Sequence, residues 1–192
     1  GSRAAVRGGV TSFLEMPNCK PPTTDQEQLS WKIDRASKTS VANFGFFIGA
    51  TSGNLRSLND AQPACGIKIF MGSSTGDLLV DDEKHLDQIF GNGSRLIAVH
   101  AEDETRIQDR TKSLLDGNEN PDYSIHSVIR DPQTALIATE RALSLSKKYE
   151  RRLHVLHLST AEEVKRLRHD KPDWVSCEAI PNHLFLNTDD YK

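Results

Sequence analysis

The feature that most constrains this chain is an alternation. Short runs rich in β-branched and aromatic residues take turns with longer amphipathic ones. The strand-like runs are VTSFLEM (10–16), NFGFFIG (43–49), GIKIFM (66–71), RLIAVH (95–100), RLHVLH (152–157) and WVSCEA (174–179). Helix-like segments lie between and beyond them, at 25–39, 54–62, 82–90, 101–115, 132–149 and 160–170. Strand followed by helix, repeated, is the pattern of a parallel α/β protein, because parallel neighbours need a crossover long enough to bring the chain back. The helix starts carry signals. Asp131-Pro132 places proline at a first helical position, and STAEE (159–163) has the S/T-x-x-E spacing of a capping box. The opening residues read as the last turns of a helix closed by Gly8-Gly9. The segment 116–131, DGNENPDYSIHSVIRD, is expected to be a polar loop whose length points to a functional insertion.

Composition narrows the function classes. The 192 residues are 36% hydrophobic and 27% charged, with a net charge of −3, so nothing argues for nucleic acid or an anionic membrane surface as partner. No apolar run approaches the roughly 18–20 residues of a spanning helix. Three cysteines, Cys19, Cys65 and Cys177, have no zinc-finger spacing; as reduced thiols they fit a cytoplasmic protein. The chain starts without Met and stops at NTDDYK, and both ends are expected to be cuts through a larger fold.

In parallel barrels and doubly wound sheets, chemistry gathers beyond the carboxyl ends of the strands. Here those ends carry Glu15 and Asn18, Lys68, His100, His157 and Glu178. Several such residues at one structural level make a site. His100 and His157 each close an apolar strand, and a neutral imidazole there suits zinc-like ions. Lys68 sits with apolar residues on both sides, where an unpaired ammonium costs several kcal/mol. Three fates are open to it: a salt bridge to an acid, a Schiff base after desolvation, or carboxylation by carbon dioxide to an anionic, metal-bridging carbamate.

The other polar residues have plainer readings. His154, three residues before His157, is expected on the opposite face, packed toward the helices. His85, His126 and His169 are expected in solvent. Pro17, Pro21 and Pro22 stiffen MPNCKPPTT (16–24), so Asn18 can present its amide to a substrate at little ordering cost. GSSTG (72–76) lacks the P-loop signature, which argues against phosphate binding. Cys177 has no local histidine to make it a nucleophile.

Taken together, GGVTSFLEMPNCKPPTT, GIKIFMGSSTG, LIAVHAEDE, LHVLHLST and CEAIPNHLFLN resemble successive motifs of the dihydroorotases, in the cyclic amidohydrolase superfamily. The resemblance covers nearly the whole chain. It implies a TIM-like (β/α)8 amidohydrolase barrel, of which residues 1–192 would form one partial domain with about strands 2 to 7. It also implies a binuclear zinc site in which carboxylated Lys68 bridges two ions and His100 and His157 are single-histidine ligands. Asn18 matches the loop asparagine that binds the substrate carboxylate. Glu178 and His183 fall in the motif after the seventh strand, where a peripheral role is expected. The family has two histidines there; here Asn182 replaces the first.

The implied reaction is the reversible hydrolysis of dihydroorotate to N-carbamoyl-L-aspartate in pyrimidine biosynthesis. The family's first-strand H-x-H-x-R and last-strand Asp are absent from these residues, so this chain is expected to hold part of the ligand set and to turn over little by itself. Two open barrel edges would need covering, by another copy in a homo-oligomer or by a second polypeptide such as aspartate transcarbamoylase. Two alternatives stand beside this reading. One is a non-catalytic assembly subunit of aspartate transcarbamoylase, disfavoured by the retained ligands. The other is an allantoinase or dihydropyrimidinase, disfavoured by MPNCKPP.

Overall fold

A computed structural model describes residues 1–74, 76–117 and 120–191. The strands are β1 (Ser12–Glu15), β2 (Asn43–Gly49), β3 (Gly66–Phe70), β4 (Ile97–His100), β5 (Leu153–Val155) and β6 (Val175–Cys177). The helices are α1 (Ser2–Arg7), α2 (Gln26–Thr39), α3 (Leu55–Asp60), α4 (Glu83–Gly91), α5 (Glu104–Leu115), α6 (Ile125–Ile129), α7 (Pro132–Tyr149), α8 (Ala161–Asp170) and α9 (Pro181–Phe185). Among the described residues the six strands form one sheet in chain order, every pair parallel. This is the parallel α/β order expected from the alternation, in the partial TIM-like barrel that the resemblance implies. None of the helices is long and apolar enough to cross a membrane.

The alternation of side chains across the strands sorts the sheet into two faces. Ile48, Ile67, Ile69, Ile97, Val99, Leu153, Val155 and Val175 point to the helices and pack with Leu29, Leu58, Leu86, Phe90, Leu143 and Leu167 in the main core. The inner face is thinner: Phe47, Ala98 and Leu156, with Met16 and Cys65 against them. Gly66 is needed there, since a Cβ would lie 2.5 Å from the Phe47 ring. The inner row at the site level follows from the register: Gly49 beside Lys68, Lys68 beside Ala98, Ala98 beside His154, His154 beside Ser176.

Helix starts are fixed by side-chain caps. Asp25, Asp82, Asp103 and Asp131 accept from the backbone N–H three residues on, and Thr160 does the same for Glu163 N–H. Each such cap contributes about 1 kcal/mol. Glu163 accepts from the Thr160 hydroxyl at 2.8 Å rather than from its backbone N–H, and its other oxygen accepts from Thr139 of α7 at 2.8 Å, joining α7 to α8. The polar segment 116–131 is only partly a loop: it contains α6, and its residues 118 and 119 lie outside the described residues.

Candidate functional site

Lys68 is 2% exposed and stands on the inner face of β3. Its ammonium donates to the Ile69 carbonyl at 2.9 Å and lies 4.0 Å from the centroid of the Phe70 ring. Among the described residues no carboxylate is within ion-pair distance of it, so the salt-bridge fate does not occur here. Burial pushes its pKa well below that of an ordinary lysine; the charge of Glu178 acts in the opposite direction and is the smaller effect. Burial thus favours the neutral form of the amine.

His100 closes β4. Its Nδ1 lies 3.0 Å from Nε2 of His157, and its Nε2 lies 2.7 Å from the Glu102 carboxylate. The two rings meet edge to face with centroids 4.9 Å apart. Burial lowers the pKa of His157, and the positive charges of His100 and Lys68 lower it further. Lys68, His100 and His157 therefore form one cluster of nitrogen atoms, in which burial works against the charged forms of Lys68 and His157. His157 reaches His100 through an unusual backbone: β5 ends at Val155 and residue 157 has φ +38°. The expected opposition of His154 and His157 fails for this reason. Residue 154 does not face the helices; register puts it on the same inner face as Lys68, with Nδ1 2.8 Å from Ser176 Oγ and Nε2 3.2 Å from Glu178 Oε2.

His100 and His157 open onto a cavity of about 690 Å³, with Glu102, Arg130, Asn182 and His183 also in its wall. His183 lies beside His157, ring centroids 6.5 Å apart, and its Nδ1 is 3.1 Å from the Leu158 carbonyl. Glu178 is not part of the cavity wall; its partly exposed side chain lies against His154 and the His157 backbone. Two other strand-end residues stand apart. Glu15 pairs with Lys32 of α2, in register with Phe46 of the helix-facing core. Asn18 is exposed and is not part of the cavity wall. Its loop is folded back by Thr23 N–H to Pro17 O and Gly49 N–H to Thr23 O, at 3.0 and 2.8 Å.

Sequence reasoning missed Glu102 and Arg130. Glu102 fixes the His100 ring and is paired with Arg130 at 3.6 Å. Its carboxyl sits below the usual range: burial would raise it, but the His100 and Arg130 contacts together outweigh that. The signal for Glu102 was present in HAED. Arg130 comes from the polar insertion, and nothing in its local sequence aims it at His100. The GSSTG loop packs here too: a Cβ on Gly72 would lie 2.5 Å from the Glu102 carbonyl oxygen, and the Ser73 N–H is already taken by Glu104 at 2.7 Å. Thr75 of that loop lies outside the described residues.

Chemically, two adjoining imidazoles and a buried amine fit part of a metal ligand set. Among the described residues no group of three or more His, Cys, Asp or Glu is arranged to hold a metal, so a two-metal centre needs further ligands.

No protein-family model matches the chain. Its sequence is 35% identical over 207 aligned positions to a dihydroorotase of Methanosarcina acetivorans, covering 100% of this chain and 43% of that protein. A dihydroorotase of Pyrococcus horikoshii is 32% identical over 194 positions, covering 100% of this chain and 40% of that protein. Among solved structures, L-hydantoinase (dihydropyrimidinase) from Arthrobacter aurescens matches with a TM-score of 0.91 at 30% identity, over 98% of this chain and 44% of its own. A dihydropyrimidinase from Brevibacillus agri matches with a TM-score of 0.85 at 25% identity, over 97% and 42%. The chain thus spans less than half the length of these relatives. Similar in sequence to dihydroorotases from end to end, and folded like the hydantoinases, it is a partial barrel of the cyclic amidohydrolase type.

Proposed function

We propose that this chain carries part of the active site of a dihydroorotase, which hydrolyses dihydroorotate reversibly to N-carbamoyl-L-aspartate. The observation that carries this reading is Lys68, a buried amine whose charged form burial disfavours, beside the His100–His157 pair. A neutral amine adds to carbon dioxide and releases a proton, giving a carbamate. That converts an unfavourable buried cation into an anionic ligand. Carboxylated Lys68, His100 and His157 would hold zinc, two ions in a complete site. Bound zinc supplies a water of lowered pKa and polarises the scissile ring carbonyl.

The chain's own residues have distinct tasks. Glu102 holds the His100 ring by its Nε2 and leaves Nδ1 facing the site. Arg130 makes no hydrogen bond through its guanidinium among the described residues and lines the cavity, so it can orient a substrate carboxylate. Asn18 would meet the same carboxylate only if its loop moves toward the cavity. We place the protein in the cytoplasm, as a homo-oligomer or beside aspartate transcarbamoylase.

The likeness to L-hydantoinase favours a second reading, a hydrolase of neutral cyclic amides. The test is to compare dihydroorotate with hydantoin as substrates of the complete gene product, with zinc and bicarbonate present. Turnover of dihydroorotate, lost in Lys68→Ala, is expected. A preference for hydantoin would overturn the dihydroorotase reading and leave the amidohydrolase class standing.

A further inference from the structure

The chain turns sharply where β5 ends. A positive φ at a non-glycine residue persists only where its surroundings hold it. At His157 the backbone on both sides of the turn is bonded to one residue, Glu178. Glu178 N–H donates to Val155 O at 3.1 Å, and Glu178 O accepts from Leu158 N–H at 2.8 Å. Glu178 Oε1 accepts from the N–H of His157 itself at 3.3 Å. Glu178 is thus bonded before, at and after the left-handed residue.

The carboxylate is held in its turn. Its Oε2 lies 3.2 Å from His154 Nε2, and the other nitrogen of that ring lies 2.8 Å from Ser176 Oγ. Ser176, His154 and Glu178 form a line of side chains across the inner face of β5 and β6 that ends on the His157 backbone. None of these contacts belongs to the sheet ladder.

We propose that Glu178, locked by His154 and Ser176, is the positioning residue for His157: it fixes the left-handed turn that aims the His157 ring at His100. The consequence for metal binding rests on the ligand role proposed above for His157; the conformational consequence does not. Glu178 acts through His157 and is not itself a ligand. Its amide analogue can serve the same purpose. Glutamine offers a carbonyl to the His157 N–H, and its NH2 donates to His154 in the tautomer that carries its proton on Nδ1.

The test uses the 192-residue chain and two readouts. One is amide hydrogen exchange at His157. The other is binding of Zn²⁺ alone, measured by titration, with thermal unfolding as a check that each variant folds. Glu178→Ala keeps both backbone bonds of residue 178 and removes only the carboxylate. It is expected to speed His157 exchange and to weaken zinc binding, each by about tenfold or more, the range of lost outer-shell partners. Glu178→Gln is expected to recover most of both, which a general loss of packing or charge would not do. A folded Glu178→Ala chain with wild-type exchange at His157 overturns the proposal. If that variant does not fold, His154→Ala decides, since it frees the carboxylate without touching residue 178; unchanged exchange then overturns it. If exchange responds but the 192-residue chain takes no zinc, the positioning role stands and the zinc readout moves to the complete gene product, where unchanged zinc binding in Glu178→Ala overturns the consequence for metal binding.

Discussion

Lys68 shows how a functional residue is kept at a cost to the fold. Its amine is buried, its one hydrogen bond among the described residues is to the Ile69 carbonyl, and no acid there pairs with it. Methionine has nearly the same length and no polar atom. Lys68→Met is therefore expected to stabilise the metal-free chain by about 1 kcal/mol or more, since an under-satisfied buried polar group is removed. Urea unfolding of the two proteins checks this; a less stable variant would mean that Lys68 is a structural residue. At Arg130 the expected effect is on recognition. Arg130→Met should weaken binding of dihydroorotate roughly tenfold, the loss of about one charge-assisted hydrogen bond, and leave a neutral ring such as hydantoin unaffected. Equal losses for both ligands, read by calorimetry, would remove the carboxylate role. The thiols differ as well. Burial pushes Cys65 up to about 11, while Cys177 is exposed. Iodoacetamide at pH 8 should label Cys177 well before Cys65, a rank that mass mapping of the modified peptides will show.

At the scale of elements, the start of α7 carries the clearest pH dependence. Asp131 caps the helix through Thr134 N–H and pairs with Arg106 of α5. The Arg106 contact, the largest influence, holds its carboxyl well below the usual carboxylate range, against an opposing desolvation effect. The unfolded chain therefore binds this proton at a higher pH than the folded one. The stabilisation is fully present above about pH 4, the ordinary Asp value, and is lost as pH falls toward the lower folded value. Asp131→Asn should flatten that part of the stability curve and cost about 1 kcal/mol at pH 7, allowing for partial exposure of the pair. Stability that falls as steeply in the variant between pH 5 and pH 2 would assign the acid sensitivity elsewhere. The elements were legible in the sequence because period-2 apolar runs and Asp or Thr caps are local signals. What was not legible was where β5 stops. A strand continued to residue 157 puts His154 and His157 on opposite faces, and that parity argument fails once Val155 ends the strand and His157 turns left-handed. Lys68 and His100 were readable because their strands run straight to them. Glu102 lies two residues after His100 and its signal was local, but Arg130 and the role of Glu178 depend on contacts between residues 21 to 28 positions apart, which no local pattern encodes.

At the scale of the whole molecule, the sheet has two edges, β1 and β6, each with an unpaired row of backbone groups among the described residues. Apolar side chains lie near both. Leu14 on β1 is 57% exposed, and beyond β6 the exposures are 67% at Leu184, 81% at Phe185 and 56% at Leu186. In a closed barrel such surfaces are covered, and the relatives that share this fold are more than twice as long. Exposed edges and apolar residues in one molecule favour association. The chain is thus expected to sediment as a mixture of monomer and larger species whose proportions rise with concentration. Leu14→Lys and Phe185→Asp remove apolar area at opposite edges without touching the main core. If the edges drive association, each variant alone lowers it, and the pair together leaves mostly monomer at concentrations where the parent chain associates. A parent chain that sediments as a monomer throughout would mean that the edges are already covered within the molecule, by segments folded back in solution across β1 or β6.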